Sequence, residues 1–173
     1  MLSDIMYELE STNKFPYIAL FLLDEEKKNL VTRNTNILKP ALNIVERFVS
    51  ESVYKVKMPI EQDNLLFQSL NRGEAIFSND LYQMCKPNIN FHISNIVSTL
   101  LNLDSLAILP IIIQDHKLGV LALGFTPSQR YIPDDKNFLE FITHKIGLSI
   151  MLNQRQYLDN STQDEVINLF IYQ

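Results

Sequence analysis

The chain has 173 residues, 46% of them hydrophobic, which is enough for one compact domain and too short for two domains of ordinary size. Its formal net charge is −5, from 20 acidic and 15 basic residues, so it offers no basic surface for nucleic acid. The single cysteine excludes an internal disulfide, and no apolar run reaches the roughly 18 residues of a membrane span. The N-terminus is acidic, which is unlike a secretory signal. We therefore expect a cytoplasmic protein.

The first part of the chain predicts a helix, a β-hairpin and a second helix. Apolar residues recur at helical spacing over the first dozen residues. Residues 17–23 and 30–35 flank a charged turn and predict two antiparallel strands. After Pro40, apolar residues up to Val49 share one helical face. The alternating segment 53–60 is typical of an edge strand or an extended arm.

The middle of the chain predicts two helices separated by a short strand and a loop. Asp63 can cap a helix that ends at Gly73, and residues 74–77 then form a strand. Asp80 follows the strand, where its carboxylate could accept hydrogen bonds from a ligand or close the next turn onto its own backbone. Helical spacing returns over residues 93–103.

The last part predicts a second hairpin and a long helix. Two apolar runs in residues 105–125 flank the polar break 114–117 and predict adjacent antiparallel strands. A helix is expected from Pro133 towards Tyr157, and a capping-box pattern predicts a further helix within 161–173. The element order indicates an α+β domain, with a central antiparallel sheet of about five to six strands and helices packed mainly on one face.

Three of these segments resemble the GAF domain family of small-molecule-sensing regulatory modules. Residues 65–80 are similar to the family's helix that ends at a glycine and its strand that delivers an aspartate, 105–125 to its late hairpin, and 131–138 to the lead into its last helix. The resemblance indicates a GAF/PAS-like layered fold over residues 1–160, with 161–173 as a further helix or a linker to an output domain. It implies a sensor that passes the binding of a small effector to a kinase, cyclic-dinucleotide or transcriptional domain.

The resemblance also implies a ligand pocket between the sheet and the helix-bearing loop. Candidate pocket residues, chosen by their position in that region, are Asp80, Tyr82, Cys85, His92, Asn95, Thr99 and Ser105. If apolar side chains line the pocket instead, the ligand is apolar or absent. These residues do not identify the effector. The Asn-Lys pair that cyclic-nucleotide-binding members carry is missing, and Cys85 lies too early in the sequence to attach a bilin covalently. For haem, His92 is the one histidine in the region where an axial ligand would lie.

Two further functions follow from other residues. Apolar side chains on the terminal helices predict a homodimer interface that includes Ile5, Leu9, Ile150 and Tyr157, and the domain could be a dimerisation module without an effector. Some members resemble free methionine sulfoxide reductases, which use a low-pKa cysteine and a second, resolving cysteine. Cys85 has no such partner, and no catalytic motif is present, so we expect a domain that is not an enzyme.

Overall fold

The computed structural model describes residues 2–12, 14–129 and 137–153. The strands are Tyr17–Leu23 (β1), Asn29–Thr35 (β2), Lys57–Pro59 (β3), Ile76–Ser78 (β4), Ser105–Ile113 (β5) and His116–Phe125 (β6). The helices are Leu2–Ser11 (α1), Lys39–Val49 (α2), Leu65–Arg72 (α3), Leu81–Cys85 (α4), Phe91–Leu100 (α5) and residues 137–153 (α6), and Pro127–Gln129 form a 3-10 turn. The strands make one antiparallel sheet in the order β3-β2-β1-β6-β5-β4, which confirms the predicted α+β class.

The sheet separates two apolar cores. Tyr17, Ala19 and Phe21 of β1 pack with α2, α3, α4 and α5 in what we call the front core. Ile18 and Leu20 point the other way and pack with α1 and α6 in the back core. This alternation follows from the two-residue period of a strand. Among the described helices, four therefore lie on the front face and two on the back, in line with the prediction that most helices share one face.

The β5–β6 hairpin confirms the prediction made for residues 105–125. Its strands pair from Ser105 with Phe125 to Ile113 with His116. Gln114 and Asp115 form the turn with φ angles of 46° and 68°. A tight two-residue hairpin turn needs positive φ angles at both central residues, because the backbone twist of such a turn matches the twist of the two strands that it joins.

Two glycines allow close approach between elements. At Gly119, where β6 pairs with β1, a Cβ atom would overlap the carbonyl oxygen of Phe21. At Gly147 of α6, a Cβ atom would lie 2.6 Å from the Cγ1 atom of Ile113 in β5. Gly119 thus allows a local approach of the two central strands, and Gly147 allows α6 to lie directly on the sheet.

Several boundaries differ from those predicted. The residue that caps α3 is Asn64, whose Oδ1 accepts a hydrogen bond from the Phe67 N–H at 3.1 Å, whereas Asp63 accepts one from the Gln68 side chain. Both residue types can cap a helix, and here Asn64 is the one whose side-chain oxygen reaches the N–H of the third helical residue. The edge strand is confirmed but is only three residues long, since residues 53–55 form a turn.

Some predictions fall outside the described residues. These are the start of the last helix at Pro133–Asp135, its continuation to Tyr157, and the further helix within 161–173. The part of α6 that is described, residues 137–153, is helical as predicted. None of the helices in the described ranges is long and apolar enough to cross a membrane.

Candidate functional site

A cavity of about 90 Å³ lies inside the front core. The sheet forms its floor, and α2, α4, α5 and the segments that precede β3 and follow α4 form its walls. Most of the lining side chains are aliphatic or aromatic, because the cavity lies between the sheet and the helices of an apolar core, and it is partly open to solvent. The lining includes Tyr17, Thr32, Val45, Cys85, Asn88 and Ile89.

The cavity walls carry no ionised group. Among the described residues that line it, none is Asp, Glu, Lys, Arg or His. Its polar members include Tyr17, Thr32 and Thr35, and the Thr35 hydroxyl already accepts a hydrogen bond from the Ile37 N–H at 3.2 Å. Burial, reinforced by the nearby Cys85, raises the pKa of Tyr17 well above its ordinary value, so this phenol stays neutral at physiological pH.

Cys85 ends α4 and points into this neutral environment. The thiol is buried, and burial raises its pKa from 9.0 to about 12. A cysteine nucleophile requires the opposite shift, which basic neighbours or a helix N-terminus usually provide. The thiol is therefore protonated at neutral pH and acts as a small apolar wall group.

Asn88 contributes a polar atom that is left without a partner. Its backbone N–H donates to the carbonyl oxygen of Cys85 at 3.0 Å, which fixes the turn after α4. Its side-chain Oδ1 atom is buried and accepts no hydrogen bond from any described residue. An unsatisfied buried acceptor costs about 1–3 kcal/mol of folding free energy.

The segment that carries Asn88 is held in place by the start of α3. Asn64 is fully buried, and its Nδ2 atom donates to the carbonyl oxygen of Lys86 at 3.1 Å. The Nζ atom of Lys86 also lies 3.7 Å from the Asp63 carboxylate at the surface. One partly buried hydrogen bond and one ion pair at the surface thus connect this wall of the cavity to the start of α3.

The structure does not bring the sequence-predicted pocket residues together. Of the seven, Cys85 alone lines the cavity as described here. Asp80 caps α4 by accepting a hydrogen bond from the Gln83 N–H at 3.1 Å, and the Tyr82 ring contacts the Phe91 ring edge-on at 6.0 Å. The other four lie apart from the cavity lining: His92, Asn95 and Thr99 are exposed on α5, and Ser105 is half-buried at the start of β5.

Sequence reasoning missed most of the lining because it comes from residues 17–58, which precede the region where the pocket was expected. Tyr17 and Thr32 lie on the front face of β1 and β2, among apolar side chains. A threonine on the buried face of a strand was the one available signal, whereas nothing in the sequence distinguishes Asn88 from an ordinary turn residue. In addition, the described residues contain no group of three or more His, Cys, Asp or Glu that could hold a metal.

The predicted dimer residues lie mostly inside the domain. Leu9 and Ile150 are only 3% and 7% exposed and pack in the back core, whereas Ile5 is partly buried beside it. Tyr157 lies outside the described residues. The apolar side chains that are exposed on α1 and α6 are instead Tyr7, Phe138, Phe141, Leu148 and Leu152.

The comparisons with known proteins point to one family. A family model described as GAF domain matches residues 1–151. The GAF domain of a two-component sensor histidine kinase from Bacillus halodurans is 22% identical with a TM-score of 0.61, over 91% of this chain and 97% of that one. The GAF domain/HD domain protein from Geobacter sulfurreducens is 13% identical with a TM-score of 0.63, over 88% and 91%.

An enzyme is also among the similar structures. The type II free methionine-R-sulfoxide reductase from Thermoplasma acidophilum is 13% identical with a TM-score of 0.54, over 85% of this chain and 86% of that one. At such identities the structural matches show a shared fold alone. No curated protein matches the sequence.

Proposed function

The chain belongs to the GAF domain family, and on this premise we propose that it is a cytoplasmic regulatory domain that binds a small effector in the front-core cavity. The observation that carries the proposal is the cavity itself, a space of about 90 Å³ between the sheet and α2, α4 and α5 that is partly open to solvent. Ligand pockets are typically concave and lined mainly by apolar side chains with a few polar groups. Tyr17 and Thr32 are neutral polar members of this lining.

The proposed mechanism is a change in packing on either side of the sheet. An effector would contact Tyr17 of β1 on the front face, while Ile18 and Leu20 of the same strand contact α1 and α6 on the back. Binding can shift the domain only towards the arrangement that it stabilises more. The terminal helices would pass this shift to an output domain of the kinase, cyclic-dinucleotide or transcriptional type, and the sensor histidine kinase from Bacillus halodurans is an example of such a context.

A thiol-based enzymatic function is a weaker proposal. The Thermoplasma reductase shares the fold, but Cys85 is buried here with its pKa raised to about 12. A thiol that stays protonated does not attack a sulfoxide, and the chain has no second cysteine to resolve a sulfenic acid.

A second candidate function is a dimerisation module. It is supported by the exposed apolar side chains of α1 and α6, among which Tyr7 is 72% exposed and Phe141 58%. Leu148 and Leu152 of α6 also line a groove with Ile5 of α1. Exposed apolar side chains grouped in this way are typical of a surface that a partner covers. The same surface would serve a sensor, because pairing of the terminal helices is one route by which a shift in packing reaches a second subunit.

Native mass spectrometry of protein purified from its own cells, together with an absorption spectrum, tests these proposals. A retained small mass or a chromophore band supports the effector proposal. An empty dimer favours the dimerisation module, and an empty monomer contradicts both.

A further inference from the structure

We propose that residues 50–56, the segment between α2 and β3, form a gate that must move away from the front-core cavity before an effector can enter or leave. This inference rests on the proposed function, since it names how access to the same site is regulated. Three observations carry it: the size of the cavity, the low burial of this one wall, and a hydrogen bond from Val53 to Glu46 that holds the wall closed.

The cavity in this conformation is too small for most organic effectors. In a well-studied lysozyme variant, an apolar cavity of about 150 Å³ holds one benzene molecule. By the same ratio, the cavity of about 90 Å³ holds fewer than roughly four non-hydrogen atoms. A larger effector could therefore enter only in part unless one of the walls moves outward.

The other walls of the cavity are held by buried side chains. The floor is formed by β1 and β2, and β1 pairs with a neighbouring strand on both sides. Ala41 and Val45 of α2 are buried, and Val97 of α5 is only 2% exposed. Met84 of α4 is fully buried, and the segment that follows α4 is bonded to Asn64. Each of these walls would lose buried apolar contacts if it moved, which makes its movement costly in free energy.

The segment 50–56 is anchored less firmly. None of its seven residues is buried: Ser50, Glu51, Tyr54 and Lys55 are exposed, and Ser52, Val53 and Val56 are half-buried. The two valines are the members of this segment that line the cavity. Segments with few buried apolar contacts are the ones that open locally at low cost in free energy. Movement of this segment would withdraw two side chains from the cavity and so enlarge it.

Glu46 connects this segment to α2. The Val53 N–H donates a hydrogen bond to the Oε1 atom of Glu46 at 3.2 Å. Within the segment, the Lys55 N–H donates to the carbonyl oxygen of Ser52 at 2.9 Å, so residues 52–55 form a turn that can move as a unit. Ser50, at the C-cap of α2, has a φ angle of 61°, which ends the helix before the turn begins. Loss of the bond between Glu46 and Val53 would therefore release the turn from the helix.

The test uses Cys85, the one cysteine of the chain, as a reporter in the cavity wall. N-phenylmaleimide is larger than the cavity, so it reaches this thiol only when a wall has moved, whereas methyl methanethiosulfonate is a smaller thiol reagent. Both reagents react with the thiolate, so the ratio of their rates cancels any change in the reactivity of the thiol itself. Mass spectrometry follows the two adducts over time.

We expect Glu46→Leu to raise the ratio of the N-phenylmaleimide rate to the methyl methanethiosulfonate rate roughly 2–10-fold, because one hydrogen bond that holds the gate is lost. Glu46→Gln keeps an acceptor oxygen and should restore most of the wild-type ratio. Glu51→Leu is the matched control, because it removes the same charge from the gate itself and leaves the bond to Val53 in place. Hydrogen exchange of the Ile142 amide, in the back core, should stay at the wild-type rate, which would exclude global unfolding as the cause. If Glu46→Leu does not fold, Glu46→Ala replaces it.

An unchanged ratio in Glu46→Leu overturns the inference. An increase in Asn64→Asp alone would place the moving wall at α4, because this change keeps the oxygen that caps α3 and removes the donor to Lys86. The effector proposal fails separately. If the protein from its own cells is empty and Glu46→Leu still raises the ratio, the gate stands and the effector proposal is wrong; if that protein retains an effector and the ratio is unchanged, the gate is wrong and the effector proposal stands.

Discussion

The side-chain amide of Asn64 donates a hydrogen bond to the carbonyl oxygen of Lys86, over 3.1 Å and across 22 residues of sequence. The same side chain accepts a hydrogen bond from the Phe67 N–H and so also starts α3. Asn64 is fully buried; its bond to Phe67 is shielded from water, and its bond to Lys86 is partly shielded. One side chain therefore begins a helix and fixes the segment that carries Asn88 into the cavity wall.

We expect Asn64→Ala to lower the free energy of unfolding by roughly 2–4 kcal/mol, because it removes a helix cap and leaves the Lys86 carbonyl unpaired. Urea denaturation measures this change. Asp63→Ala is the control: the Asp63 side chain is 82% exposed, and its ion pair should contribute less than about 1 kcal/mol. Equal losses in the two variants would contradict the assignment of the cap to Asn64.

We expect Gly119→Ala to be one of the most damaging single-methyl changes in the chain. The new Cβ atom would overlap the Phe21 carbonyl oxygen, and since this is a backbone atom the two central strands would have to separate. The expected loss of stability is roughly 3 kcal/mol or more, measured by thermal unfolding. At Gly147, the atoms nearest to an added methyl group belong to the buried side chains of Ile111 and Ile113 and not to the backbone, so Gly147→Ala should also destabilise the domain, but less than Gly119→Ala.

The raised pKa of Cys85 predicts how stability depends on pH. The unfolded thiol releases its proton near pH 9, whereas the folded thiol keeps it up to about pH 12. Below pH 9 both states are protonated and stability is complete, and between pH 9 and 12 the unfolded state binds fewer protons, so stability falls as pH rises. The urea midpoint from pH 7.5 to 10.5 should fall less steeply in Cys85→Ala than in the wild type. Parallel curves would contradict the buried, neutral thiol.

If the chain dimerises through α1 and α6, we expect Leu148→Glu to yield a monomer that is as stable as the wild type. Leu148 is 43% exposed, so the charge would be placed on the surface and not in the core. Light scattering after size exclusion measures the mass. Phe48→Glu on α2, where Phe48 is 41% exposed, should leave the mass unchanged. Substitution of Ile150 would not serve this purpose, because Ile150 is buried and its loss would unfold the domain.

The sheet and most helices could be predicted because their signals are local. The break at residues 114–117 separates two apolar runs, and Gly73 ends α3 with a positive φ angle of 70°, so both features are visible in a few neighbouring residues. The cap of α3 was misplaced by one residue because Asp63 and Asn64 are both good caps. Only the packing against Lys86 decides between them.

The cavity was harder to predict because its walls come from segments far apart in sequence. Tyr17, Val45 and Ile89 meet only after the sheet and helices have assembled, and each looks like an ordinary core residue on its own. A cavity forms where the assembled side chains leave space unfilled, and no local pattern in a single sequence indicates where this will happen. Cys85 is the one of the seven candidates chosen by position that lies in the lining.

The alternation of β1 between the two cores has a consequence for how substitutions combine. Ala19 and Leu20 are adjacent in the chain, yet they pack in different cores on opposite faces of the sheet. Effects of mutations add when two sites share no partners and deviate from additivity when they do. Along β1, energetic coupling should therefore skip every second position: Ala19 should couple to Tyr17 and Phe21, and Leu20 to Ile18, so that one strand carries two independent sets of constraints.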